Sequence, residues 1–207
     1  MKTEVLPASD PNAIRYAADV LRYDGLVAFP TDTVYGVGAT AFKHEVVARL
    51  YPLKGRSTEK SIAVLVADQA GMNLIADVVS PEAERLAERF WPGAVTLVVV
   101  KRPEVPESVS PDPTVAVRVP AHPVALALLA AAGPLAVTSA NRSGQPSALT
   151  AEEVLEAIGG RIDLLLDGGR SPGRVASTVV DCTVQPPRVL RHGPVSEDEI
   201  RKALEGR

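Results

Sequence analysis

The groups best suited to hold an anion lie close together between Leu26 and Lys60, LVAFPTDTVYGVGATAFKHEVVARLYPLKGRSTEK. A short apolar strand, Leu26 to Phe29, ends at Pro30. Two hydroxyls follow, Thr31 and Thr33 around Asp32. Gly36-Val37-Gly38 comes next and reads as a turn, where glycine lets the backbone bend or approach a ligand. A helix leads from there to Lys54-Gly55-Arg56. Strand, hydroxyl–glycine turn, helix and paired cations suit an anionic small molecule held by backbone amides and basic side chains. A plain strand–turn–helix unit with surface cations would read the same way from this stretch alone.

Polar residues elsewhere also collect where strands run into loops. Ser139 and Asn141 follow one strand, and Arg191 ends another. Arg118 lies in the alternating run Val115-Ala116-Val117-Arg118-Val119, so it faces away from three valines and toward a cleft. If Lys54, Arg56, Arg118 and Arg191 converge, they could grip a polyphosphate through charge-assisted hydrogen bonds, each worth about 1.5–3 kcal/mol. Open α/β sheets place ligands at such strand ends.

Other chemistries fit less well. Gly36-x-Gly38 lacks the third glycine of a dinucleotide fingerprint, and no P-loop motif is present. Cys182 lies in an apolar strand, as a buried small hydrophobe does. His44, His122 and His192 are far apart, which predicts no structural metal and no metal held by protein side chains. Net charge is −3 and aromatics make up 4% of the chain, so a base-stacking surface for nucleic acid is poorly supplied.

The supporting elements follow from periodicity. Asp10 and Pro11 predict a helix start, with Ile14, Ala17, Ala18 and Leu21 on one face and Gly25 as the stop. A helix is predicted from His44 to Tyr51, broken by Pro52. Helices are also predicted from Ser80-Pro81 to Trp91, over His122–Ala132, after Thr150 and after Ser196. The last two carry capping boxes with Glu153 and Glu199. Strands are predicted over Ser61–Val66, Ala94–Val100, Thr114–Val119, Leu135–Thr138, Ile162–Leu166, Ser177–Cys182 and Arg188–Arg191. Asp167-Gly168-Gly169 reads as a tight turn, and Arg102–Pro113 as a long ordered loop.

Interleaved strands and helices, several joined by short turns, predict an α/β fold with a twisted mixed parallel/antiparallel sheet flanked by helices. At 207 residues with no dividing linker, the expectation is a single domain over 1–207. No apolar run is long enough for a membrane span, and no secretory h-region is visible, so the expected location is cytoplasmic.

Seven blocks in order resemble the YrdC-type threonylcarbamoyl-AMP synthase family: FPTDTVYGVGA at 29–39, Lys54-x-Arg56, WPGAVTLV at 91–98, TVAVRVPAHP at 114–123, TSAN at 138–141, STVVD at 177–181 and VLRHGP at 189–194. The chain ends soon after the last block, as in the short form of that family. The resemblance implies a YrdC-like fold with a concave basic cleft. It implies an enzyme that converts L-threonine, bicarbonate (or CO2) and ATP into threonylcarbamoyl-adenylate and pyrophosphate. That is the first step of N6-threonylcarbamoyladenosine formation at adenosine 37 of tRNA, completed by a separate transferase complex. Mg²⁺ would accompany ATP. Double-stranded RNA or tRNA is a further partner in some members, so a non-catalytic RNA-binding protein is the alternative reading. A carbamoyl-adenylate site like that of hydrogenase-maturation proteins is a second rival.

Carried over by motif, Lys54 and Arg56 match the catalytic phosphate-contacting pair. Thr114, Ser139, Asn141, Ser147 and Arg191 match nucleotide contacts, and Lys60 stands where it could reach ATP. Thr31, Thr33, Arg118 and Ser177 match the threonine pocket, with Arg118 facing the carboxylate in a fork-to-fork contact. Ser57 and Ser61-Ile62 replace the family's usual proline and Pro-Leu. The histidine some members carry near Leu65 is missing.

Overall fold

The computed structural model describes residues 2–173 and 175–205. The strands are β1 Glu4–Pro7, β2 Val27–Phe29, β3 Gly36–Thr40, β4 Ala63–Leu65, β5 Ala76–Val78, β6 Val95–Lys101, β7 Thr114–Arg118, β8 Leu135–Ser139, β9 Leu164–Asp167, β10 Thr178–Asp181 and β11 Arg188–Arg191. The helices are α1 Ala13–Arg22, α2 His44–Ala48, α3 Leu50–Lys54, α4 Pro81–Phe90, α5 Pro123–Ala132, α6 Ala151–Ile158 and α7 Glu197–Leu204.

All the strands belong to one sheet, in the order β1-β9-β2-β3-β8-β4-β7-β6-β10-β11, with β5 on the end of β6. Parallel pairs (β1 with β9, β2 with β9, β4 with β7, β6 with β10) are interspersed with antiparallel ones, so the sheet is mixed, as the sequence predicts.

The two faces of this sheet differ, and the difference makes the site. Side chains alternate between faces along each strand. On one face Ala28, Val37, Val64, Val95, Leu97, Val115, Val117, Ala136 and Val180 pack with residues of α2, α3, α4, α6 and α7 in the larger core. On the other, Val27, Phe29, Leu65, Leu135, Val137, Leu164 and Leu166 pack under α1 and α5. Leu21 and Leu128, fully buried there, each contribute about 1.5–3 kcal/mol. Those two helices cover only the part of the sheet around β9, β2, β8 and β4. Over β7, β6 and β10 the same face is left open.

Several local expectations need correction. Gly36-Val37-Gly38 is not a turn but strand β3, paired to β2 and β8. A Cβ at Gly36 would lie 2.7 Å from Val137 Cγ1. Glycine is required there for close approach across the sheet, not for a bend. The predicted helix at His44–Tyr51 divides into α2 and α3, and Pro52 lies inside α3 instead of ending the helix. As a third residue of a short helix, Pro52 lacks only an N–H that has no helical partner anyway. Asp10 is not the cap of α1, because Asn12 holds that position. The Asp10 carboxylate accepts from Asn12 N–H at 2.8 Å and closes the turn before the helix. Asp167-Gly168-Gly169 does not join paired strands, since β9 lies between β1 and β2. Ser196 and Glu199 form the full capping box, whereas Glu153 accepts from Leu149 N–H instead of Thr150. Strands β1 and β5 carried no signal strong enough to predict them. Among the described residues no helix is long and apolar enough to cross a membrane.

Candidate functional site

The uncovered part of the sheet forms the floor of a cavity of about 400 Å³. Alternation decides which residues reach it. From β7, Thr114, Ala116 and Arg118 face the cavity while Val117 faces the core. From β6 come Thr96 and Val98, from β10 Val179 with Ser177 just before it, and from β11 Leu190 and Arg191. The turn after β2 brings Thr31 and Thr33, and the segment after α3 brings Arg56 and Ser61. Ser139 arrives at the end of β8, and Ser110 and Asp112 from the loop before β7.

Arg118 is the most deeply held of these cations, at 5% exposure. Its Nη2 donates to Asp32 Oδ1 at 2.6 Å, Nη1 to Thr33 Oγ1 at 3.1 Å and Nε to the Gly93 carbonyl at 2.8 Å. Asp32 Oδ1 also accepts from Ala121 N–H at 3.0 Å, just before α5. Burial lowers the Arg118 pKa, and Asp32 opposes that shift. Three of the five guanidinium N–H groups are thus engaged, and two remain for a ligand. The free fork expected from sequence is instead half-occupied by the protein.

Arg191 donates from Nε and Nη2 to the Ser177 carbonyl at 3.0 and 2.8 Å, and from Nη2 to Ser177 Oγ at 3.2 Å. Gly193 makes this seating possible. A Cβ there would lie 2.5 Å from Ser177 C and 2.6 Å from Ala176 O, so only glycine lets the two segments touch. Arg56 Nη2 donates to the Ser61 carbonyl at 2.8 Å, while its buried Nε has no partner among the described residues. Arg56 itself lines the cavity.

Lys54 is placed differently from the sequence expectation. Its Nζ does not reach the cavity wall. It donates to the carbonyls of Ser139 and Asn141, with Ser139 Oγ and Asn141 Oδ1 each at 3.3 Å. Ser143 N–H returns a bond to the Lys54 carbonyl at 2.8 Å, so α3 and the Ser139–Ser143 loop are tied together. Asn141 fixes the loop further by donating to the Arg142 and Gln145 carbonyls.

Burial, then the charge of Arg56, pushes the Lys54 pKa down to about 8. Between about 8 and the ordinary value of 10.5, the unfolded chain holds a proton that the folded chain has lost. Stability therefore rises with pH across that window. Urea unfolding followed by Trp91 fluorescence should show wild type gaining on Lys54→Met from pH 8 to 10. A constant difference would remove Lys54 as the titrating group.

Eight of the predicted site residues meet at the cavity: Thr31, Thr33, Arg56, Thr114, Arg118, Ser139, Ser177 and Arg191. Lys54 and Asn141 stand behind Ser139. Lys60 is exposed in the turn that Ser57 begins, and half-buried Ser147 lies outside the wall, so neither is brought in. Sequence reasoning missed Asp32, Thr96, Ser61, Ser110 and Asp112. Thr96 was detectable in principle, as a polar residue alternating with Val95 and Leu97. Asp32 was visible between two threonines, but its partner is 86 residues away. Cys182 is buried, and burial beside Asp181 and Glu82 pushes its thiol up to about 12, as suits an inert core residue.

The family model for Sua5/YciO/YrdC, described as "Telomere recombination", matches residues 19–193. Threonylcarbamoyl-AMP synthase of Pyrococcus abyssi is 43% identical over 193 residues, covering 92% of this chain and 57% of that protein. A putative threonylcarbamoyl-AMP synthase of Mycobacterium tuberculosis is 40% identical over 207 residues, covering 98% of this chain and 95% of that protein. The crystal structure of P. abyssi Sua5 complexed with L-threonine aligns with a TM-score of 0.90 at 43% identity, covering 92% of this chain and 56% of that one. This chain thus spans little more than half the length of the Pyrococcus protein. The mixed sheet, the arginine-lined cavity and the match over residues 19–193 agree: the chain belongs to the Sua5/YciO/YrdC family.

Proposed function

We propose that this chain joins L-threonine, bicarbonate or CO2 and ATP into threonylcarbamoyl-adenylate, releasing pyrophosphate, as a nucleotidyltransferase serving tRNA modification. One observation carries the reading. A single cavity gathers Arg56, Arg118 and Arg191 with Thr33, Ser139 and Ser177, so anionic and amino-acid chemistry share one space.

Arg56 and Arg191 lie toward the phosphates, and Ser139 and Thr114 contact the nucleotide. Mg²⁺ enters with ATP as part of the substrate. The remaining N–H groups of Arg118 take the threonine carboxylate. The threonine amine adds to CO2, loses a proton to solvent and becomes a carbamate. A carbamate oxygen then attacks the α-phosphorus, the bond to the bridging oxygen breaks, and pyrophosphate leaves. The described cavity wall carries Asp112 as its carboxylate and no histidine or cysteine. Rate must therefore come from positioning and from shielding phosphate charge more than from proton transfer. The product is a labile mixed anhydride, so a second enzyme must consume it promptly, transferring the threonylcarbamoyl group to tRNA adenosine.

A pyrophosphate-release assay with threonine, bicarbonate, Mg²⁺ and ATP tests this. Release should require all of them, and Arg56→Ala should lower it about a hundredfold with an unchanged thermal transition. Pyrophosphate formed equally well without threonine, or none at all, would defeat the reading.

A further inference from the structure

Thr96 is 3% exposed, faces the cavity and lies on β6 beside β10, where it pairs with Val179. Its Oγ1 lies 2.7 Å from Ser177 Oγ and has no other hydrogen-bond partner among the described residues. Arg191 Nη2 donates to the same Ser177 oxygen. A hydroxyl has one hydrogen and two lone pairs. Two hydroxyls joined by one hydrogen bond therefore leave one O–H without an acceptor. If Thr96 donates to Ser177, both Ser177 lone pairs are filled, and the Ser177 hydrogen turns to the cavity. In the reverse direction the Thr96 hydrogen is the one left over; Thr96 and Ser177 are buried alike, at 3% and 4% exposure, and both line the cavity, so either direction leaves one O–H of the pair for it.

We infer that Thr96 is a positioning residue that, through this buried bond, holds the Ser177 hydroxyl for an anionic oxygen of the amino-acid substrate. The inference rests on the threonine site proposed above.

A second hydroxyl, Thr33, also lines the cavity. Thr31 Oγ1 donates to the Val34 carbonyl at 2.7 Å and accepts from the Thr33 and Val34 N–H groups at 3.2 and 3.3 Å, so it is saturated without the Thr33 hydroxyl 3.0 Å away. Thr33 Oγ1 accepts from Arg118 and keeps one lone pair. Thr33 thus keeps an acceptor for the cavity beside Arg118, and the Thr96–Ser177 pair keeps one donor. An amino acid offers the complementary set: an N–H donor for Thr33 and carboxylate oxygens for Ser177 and Arg118.

Calorimetric titration of the full chain with L-threonine, and separately with Mg·ATP, tests the assignment. Thr96→Val keeps shape and β-branching and removes only the hydroxyl. It should weaken threonine binding about tenfold and leave ATP affinity within about twofold, while Thr96→Ser restores threonine binding to within about threefold of wild type. Added to Ser177→Ala, Thr96→Val should cost nothing further, because the two act as one unit. That comparison and the serine rescue stand even if Thr96→Val alone folds poorly. Unchanged threonine affinity in Thr96→Val, equal losses for threonine and ATP, a serine variant as weak as valine, or additive losses with Ser177→Ala would each overturn the inference. Wild type that binds ATP but no threonine would defeat the substrate reading first, and this inference with it.

Discussion

Arg118→Lys is expected to lower threonine-dependent pyrophosphate release by about a hundredfold or more, while ATP binding stays near wild type. Lysine keeps a positive charge but has no planar fork. In the native arrangement one guanidinium serves Asp32, Thr33 and the Gly93 carbonyl at once and still keeps two N–H groups for a substrate carboxylate. An ammonium has three hydrogens, and the 2.6 Å contact to Asp32 would claim the first. Losing two charge-assisted bonds at about 1.5–3 kcal/mol each predicts an effect of that size. Arg118→Ala should be worse in another way. The Arg118 and Asp32 side chains are only 7% and 14% exposed, so removing the cation leaves a nearly buried carboxylate unpaired. Breaking a buried pair from one side costs about 3–5 kcal/mol, and thermal unfolding would report it. A lysine variant with normal threonine kinetics would move carboxylate recognition elsewhere in the cavity.

The second large effect is expected at Lys54. Methionine fills much the same volume but offers no donor, so the carbonyls of Ser139 and Asn141 lose their shared partner. The strand β8 and its pairing to β3 should survive, because Gly36 still pairs with Ser139 through the backbone. The loop from Ser139 to Ser143 should loosen, and with it the Ser139 hydroxyl that the nucleotide would meet. We expect Lys54→Met to cut ATP affinity and pyrophosphate release about a hundredfold, with only a modest fall in stability, since removing a buried cation offsets part of the lost bonding. Amide exchange across residues 139–143 should accelerate in the same variant. Wild-type exchange together with lost activity would instead make Lys54 a direct phosphate ligand that reorients when ATP arrives. Activity retained in full would exclude both roles.

These two residues show that a site can be recognised before its working geometry is known. Lys54 and Arg118 are both called from sequence as substrate-facing cations. The fold puts each in contact with protein oxygens first, so each acts through groups it holds as well as through its own charge. The serines at positions 57 and 61 show the same limit. Ser61 Oγ meets Ser110 Oγ at 2.9 Å, and Ile62 N–H donates to the Val109 carbonyl at 2.7 Å. Lys101 Nζ and the Tyr51 hydroxyl hold the same loop through the Ser110 and Ser108 carbonyls. The segment in which serines stand where the family has prolines is fastened to the long loop before β7, and no local pattern contained that partner.

Sequence alone determined the alternation of β7, the apolar face of α1 and the capping box of α7, each read from neighbours a few positions apart, where side-chain direction follows from the period of strand or helix. The eight residues that line the cavity were named as a set by motif resemblance. Only the tertiary structure decided that Gly36 belongs to a strand pressed against Val137, that α1 and α5 stop short of β6 and β7, and that Asp32, Thr96 and Ser110 complete the site. Those facts depend on contacts between residues 49 to 101 positions apart, such as Ser61 with Ser110 and Gly36 with Val137. Strand order sets such contacts, and a hydrogen bond of this kind depends on angle and distance, which residue type and spacing do not encode.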